Sequence, residues 1–163
     1  GGVAWPARLG WWLRVSATKQ HEVIEVLVAV FAGAVSFPVY DGPDLSADSA
    51  EIFLTVGYDP VDNDGRAATT QQEYVNIGSH SKSETGTIRC TLTAWSGDSS
   101  TTARRRLVAE ALSDCEAALR ADISLGGLVL WASFGPSVGL NQILTQQGNQ
   151  VYARFDVAYT ARV

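Results

Sequence analysis

The stretch from Glu84 to Asp122 constrains this chain most, because its apolar period changes once and abruptly. Ile88, Cys90, Leu92 and Ala94 alternate with Thr87, Arg89, Thr91 and Thr93. That is the signature of a strand with one buried face. Ser96-Gly97-Asp98-Ser99-Ser100-Thr101 supplies turn and N-cap chemistry. From Thr102 the period becomes helical: Leu107, Val108, Ala111, Leu112, Cys115, Ala118 and Leu119 form one stripe, with Arg104, Glu110, Asp114 and Arg120 off it. A strand, a tight turn and an amphipathic helix form a two-layer α+β unit, and the rest of the chain has to pack around it.

Residues 1–18 read as an N-terminal arm, with Trp5, Trp11 and Trp12 interleaved with Arg8 and Arg14. Its apolar run, Leu9 to Leu13, is too short for the core of a secretion signal. The arm either docks its aromatics on a neighbour or adds little. Residues 19–163 read as one domain. Val23 to Val35 is nearly all apolar, and with Thr18 as N-cap and Glu22 and Glu25 in its first turns it predicts a helix. At thirteen residues it is too short to span a bilayer. Its apolar residues cover more than one face, so a second cover is expected, supplied by a subunit interface.

Phe37 to Pro43 predicts a short extended piece, and Ile52, Leu54, Val56 and Tyr58 one face of a strand. Residues 59–83 form a connection of a length that is usually functional, disordered or hairpin-forming. Ser124-Leu125-Gly126-Gly127 stops the helix. Leu128–Phe134 predicts a strand, Leu140–Gln147 a mixed strand-like segment, and Val151 to Ala161 a final alternating strand. The expected architecture is α+β: a small antiparallel or mixed sheet of about four strands, with two helices packed on one face.

Composition narrows the function. The 163 residues are 46% apolar and 18% charged, with a net charge of −5. The acidic balance argues against a module that grips nucleic acid, although not against a surface that DNA slides past. Cys90 lies on the apolar side of its strand and Cys115 on the stripe of its helix, which predicts two buried free thiols.

Gly135-Pro136-Ser137-Val138-Gly139 matches the string of a hydrolase nucleophile elbow, but no helix follows and both histidines, His21 and His80, precede the serine. It reads as a turn between strands. Asp59, Asp62 and Asp64 are out of register for a calcium loop and lack the closing glutamate. Neither histidine has partners at zinc spacing. No catalytic, metal or cofactor residue is therefore assigned. Arg104-Arg105-Arg106 sets three cations in the first turn of a helix, opposing the macrodipole at roughly 0.3–1 kcal/mol each when exposed. They form either a solvated face near Asp98 and Glu110 or a contact for carboxylates on another subunit.

The order of these pieces carries a resemblance over roughly residues 20–163. An apolar helix leads to Val39-Tyr40-Asp41-Gly42-Pro43, and then to a strand ending Val56-Gly57-Tyr58-Asp59. Glu84-Thr85-Gly86-Thr87-Ile88 runs through Ala94-Trp95-Ser96-Gly97-Asp98 into the arginine- and alanine-rich helix. Gln146-Gln147-Gly148 and Phe155-Asp156-Val157-Ala158-Tyr159 close the series. In this order the chain resembles the tail terminator (tail-completion) proteins of siphophages. The Trp-rich arm has no counterpart there.

The resemblance implies a non-enzymatic ring, usually of six copies, that caps the tail tube and docks on the head–neck. Its partners would be copies of itself, the tail tube protein and the neck connector. DNA would pass through the lumen without specific binding, and the location would be the virion, with no membrane. Neck and tube proteins share the expected fold and are the nearest alternatives, and a non-viral peptide-binding adaptor is the alternative from another class. The interface residues expected are Val23, Leu27, Val30 and Phe31 of the first helix, Tyr58, Asp59 and Tyr74 of the connection, and Arg104, Arg105 and Arg106.

Overall fold

The computed structural model describes residues 17–43, 51–59, 65–76, 78, 81–96, 100–145 and 148–163. In chain order the elements are α1 (Gln20–Ala34), β1 (Val39–Asp41), β2 (Ile52–Val56), β3 (Ala68–Tyr74), β4 (Lys82–Ser96), α2 (Thr101–Ala121), β5 (Trp131–Thr145) and β6 (Gly148–Arg162). The fold is α+β, two helices on a mixed sheet of six strands in the order β1-β2-β4-β6-β5, with β3 also paired to β4.

The alternating stretch in β4 does what its pattern requires. Ile88, Cys90, Leu92 and Ala94 lie opposite Val157, Phe155, Ala153 and Val151 of β6, so the two long central strands present one continuous apolar face. Leu54 and Val56 of β2 extend it on the other side of β4. Onto this face α2 lays Val108, Ala111, Cys115 and Leu119, and α1 lays Val23, Leu27 and Phe31, all in one buried cluster. The Phe31 ring meets Phe155 edge to face, with centroids 6.4 Å apart and planes at 85°, a favoured aromatic geometry. Ser100 caps α2, its Oγ accepting from the Ala103 N–H at 3.4 Å. Past the end of α2 the chain reverses through left-handed Leu125, Gly126 and Gly127.

Several expectations need correction. Six strands form where about four were expected. The added ones are β1, paired parallel to β2, and β3, which arises from the long connection. Within the long connection, β3 thus pairs antiparallel with Lys82–Ile88 of β4. The two segments placed before and after residues 135–139 are one strand. Between Phe134 and Val138 the register shifts, so Gly135-Pro136-Ser137 is a bulge within β5 and not a turn. The cap of α1 lies one residue later than expected. Lys19 is the N-cap and makes no side-chain cap bond, while Thr18 Oγ1 accepts from Gln20 N at 3.2 Å.

The broad apolar surface of α1 is also mostly accounted for within one chain. Ile24, Val26, Val28 and Val30 pack half-buried against the core, with α2 on one side and β1 on the other. The second cover inferred from the sequence is supplied largely by the chain itself.

Candidate assembly surface

The structure separates the ten interface residues expected from the sequence. Val23, Leu27 and Phe31 are 0% exposed and belong to the core, so no second subunit can reach them. They were the buried stripe of α1, and a helix apolar on several sides did not reveal which side that was. Val30 and Tyr58 are half-buried. Asp59 is buried, its carboxylate 2.5 Å from the Arg154 guanidinium. Arg104 is also buried and pairs with Glu51, just before β2, so it lies on the buried side of α2 and not off it. Only Tyr74, Arg105 and Arg106 stand in solvent, with Tyr74 67% exposed beneath the Lys82 ammonium.

The apolar surface left over lies elsewhere, on β5. This strand is an outer edge of the sheet: β6 pairs with one side of it, and the other side ends the strand order. Trp131, Val138, Leu140 and Ile143 are between 44% and 50% exposed. Val138 and Leu140 lie opposite Phe155 and Ala153, on the helix-bearing face. Trp131 and Ile143 lie opposite Thr160 and Gln150, on the other face. Exposed apolar side chains therefore stand on both faces of this edge.

Just upstream, Ile123 and Leu130 are more than half exposed. A groove of about 200 Å³ between the end of α2 and β5, lined by Glu116, Leu119, Ile123 and Phe134, joins the two regions. One sequence signal could have located this surface. From Ile123 to Ala153 no residue carries a charge. Sheet edges exposed to water are normally guarded by charges, proline or bulges, because their free N–H and C=O groups invite another strand. Pro136 and the bulge interrupt the first half of β5, and no such device guards Val138–Ile143.

A second feature ties down the start of the described chain. Glu84 occupies the core face of β4 at 0% exposure. Its carboxylate accepts from Tyr159 Oη at 2.6 Å, Gln72 Nε2 at 2.6 Å and the Lys19 backbone N–H at 3.1 Å. Burial pushes this carboxyl up, but the hydrogen bonds from Tyr159, Gln72, Thr18 and Lys19 outweigh it and hold the group below its ordinary value. Burial, and then the carboxylate itself, drive the Tyr159 hydroxyl in the opposite direction, well up. Gln72 Nε2 also donates to the Ala17 carbonyl at 2.6 Å, and Lys19 Nζ to the Leu128 carbonyl at 3.1 Å. Strands β3, β4 and β6 thus converge on the point where the first 16 residues join the domain.

Ser137 sits on the β5 bulge beside a cleft of about 250 Å³ lined by Asp59, Arg89, Arg154 and Asp156. A nucleophile elbow needs a sharp strand-to-helix turn, and this serine lies within a strand. Among the described residues no group of three His, Cys, Asp or Glu side chains could hold a metal, and no helix is long and apolar enough to cross a membrane. Asp62, Asp64 and His80 lie outside the described residues. Cys90 and Cys115 are buried free thiols, as their positions in the pattern required. In comparisons with known proteins, no family model and no curated relative matches this chain.

Proposed function

We propose that the chain is the repeating subunit of a homo-oligomeric ring, a structural virion protein of the tail terminator kind. Such a ring, of six copies in the family it resembles, would cap a siphophage tail tube and join it to the head–neck. One observation carries the oligomeric part of this reading: the uncharged, apolar-flanked edge β5, open to a further strand or surface. A closed ring needs heterologous contacts, in which this edge of one copy meets a different surface of the next. On this reading the second surface is the β3 side of the sheet, across β4 and β6 from β5. The order of segments that resembles the terminators supports the rest of the reading, namely the tube and neck partners and the passage of DNA through the lumen. A peptide-holding adaptor would use the same β5 edge, but would remain monomeric without its peptide.

Light scattering coupled to size exclusion, followed by negative-stain microscopy, tests the reading. Closed rings of one diameter are the expected result for the native chain. Leu140→Lys places a charge at a half-exposed position of the edge, leaves the core untouched, and should lower the assembly to subunits that remain folded. Dispersed monomers of the native protein at every concentration would refute the ring.

A further inference from the structure

The face of the sheet turned away from the helices carries a neutral trough framed by charge. Both described helices pack on the face of β4 that holds Ile88 and Leu92. On the other face, two rows of side chains cross four strands. Trp131 of β5 stands opposite Thr160 of β6, which pairs with Thr85 of β4, which pairs with Gln71 of β3. Two residues along, Ser133, Ala158, Thr87 and Thr69 form the second row. Thr69, Gln71, Thr85 and Thr87 are exposed, and Trp131 is 45% exposed. With strands about 4.8 Å apart, each row runs roughly 14 Å, and the two rows lie about 7 Å from each other. The twisted sheet makes of this face a trough of about 360 Å³, within the size range of small-molecule sites.

Among the described residues no charged side chain lines the trough. The next positions on the same face are charged: Glu73 and Arg162 flank Ser83 at one end, and Arg89 stands opposite Asp156 at the other. Within that frame, the threonines each bring a hydroxyl and a methyl, Gln71 an amide, and Trp131 a broad apolar ring at the rim. This combination selects among ligands. A wholly apolar molecule would strip water from the hydroxyls and replace none of its hydrogen bonds. A nucleic acid strand would find no cation in the trough. Strand addition is closed as well, because β4 and β6 are paired on both sides and have no free edge. A neutral sugar meets each condition: its C–H face packs on the indole and the methyls, and its own hydroxyls stand in for the displaced water.

We infer that this trough binds a neutral oligosaccharide, one ring stacked on Trp131 and the next running across Thr160 and Thr85 toward Gln71. The unguarded stretch Val138–Ile143 lies farther along β5, so the site goes beyond the ring reading and does not depend on it.

Saturation-transfer difference spectra of the full-length protein test it, with neutral trisaccharides of glucose, galactose, mannose and N-acetylglucosamine as probes. Each is present at about 10 mM, enough to reveal dissociation constants in the millimolar range. At least one trisaccharide should receive saturation, most strongly at the C–H protons of one sugar face. Trp131→Ala should weaken that binding about tenfold or more with the circular dichroism unchanged, as removal of a tryptophan anchor commonly does. Thr85→Val/Thr87→Val exchanges two hydroxyls for methyls of similar shape and should weaken it too. Saturation of none of the four probes would overturn the site, and so would undiminished binding by Trp131→Ala, which would place the sugar elsewhere. Binding that the two valines leave unchanged or strengthen, or cyclohexanol binding more tightly than any of the sugars, would overturn the choice of ligand in favour of an apolar one.

Discussion

Gly86→Ala should destabilise this protein far more than a single methyl suggests. Gly86 lies in β4 between Thr70 of β3 and Tyr159 of β6. A Cβ there would meet Tyr159 Cε1 at 2.6 Å, Tyr159 Cζ at 2.7 Å and Thr70 Cγ2 at 2.8 Å. The backbone at Gly86 is not left-handed, so the cost is wholly steric. The Tyr159 ring is 1% exposed and its hydroxyl is bound to Glu84, so it cannot swing away without breaking that bond.

Overpacking costs about 1–3 kcal/mol, and losing a hydrogen bond to a charged group a further ~1.5–3 kcal/mol. Reduced freedom of the unfolded chain returns about 0.4–1 kcal/mol. The net loss is about 2–5 kcal/mol, read from the shift in urea midpoint at constant slope. Tyr159→Phe removes only the hydroxyl and should cost ~1.5–3 kcal/mol. In Gly86→Ala/Tyr159→Phe the bond to Glu84 is already absent, so the double variant should be at least about 1 kcal/mol less destabilised than the two singles added together. A neutral Gly86→Ala, or additivity within about 0.5 kcal/mol, would refute the view that the glycine exists to seat this ring.

Two other outcomes follow from buried titratable groups. Because the folded state holds Glu84 below its ordinary value of 4.5, its stabilisation is complete above that pH and disappears as the pH falls through the folded value. The stability gap between the native protein and Glu84→Gln should accordingly narrow as urea titrations move from pH 7 toward pH 3, and a gap independent of pH would count against the charged network. Burial pushes Cys115 up to about 12, with Asp114 adding to it, and Cys90 well above its usual value. Both thiols should therefore resist an aromatic disulfide reagent at pH 8 and react fully once urea unfolds the chain. Rapid native-state reaction would mean that the helix–sheet seam opens.

The strand from Thr87 to Ala94, the helix after Ser100 and the final strand could be read directly from the sequence, since period and cap chemistry are local properties of neighbouring residues. The same holds for the two buried thiols, each placed by its position in a pattern. What could not be read there depends on strand order. Whether Val138, Leu140 and Ile143 are core or surface follows from β5 being the last strand and from α2 covering only its beginning, and no local pattern encodes either fact. The buried Glu84 looks like an ordinary surface glutamate in the sequence, because its donors Tyr159, Gln72 and Lys19 lie 75, 12 and 65 residues away. The sequence by itself determined which residues share a face. Only tertiary structure decided which of those faces found a partner, because burial depends on what is packed opposite and not on what lies next in the chain.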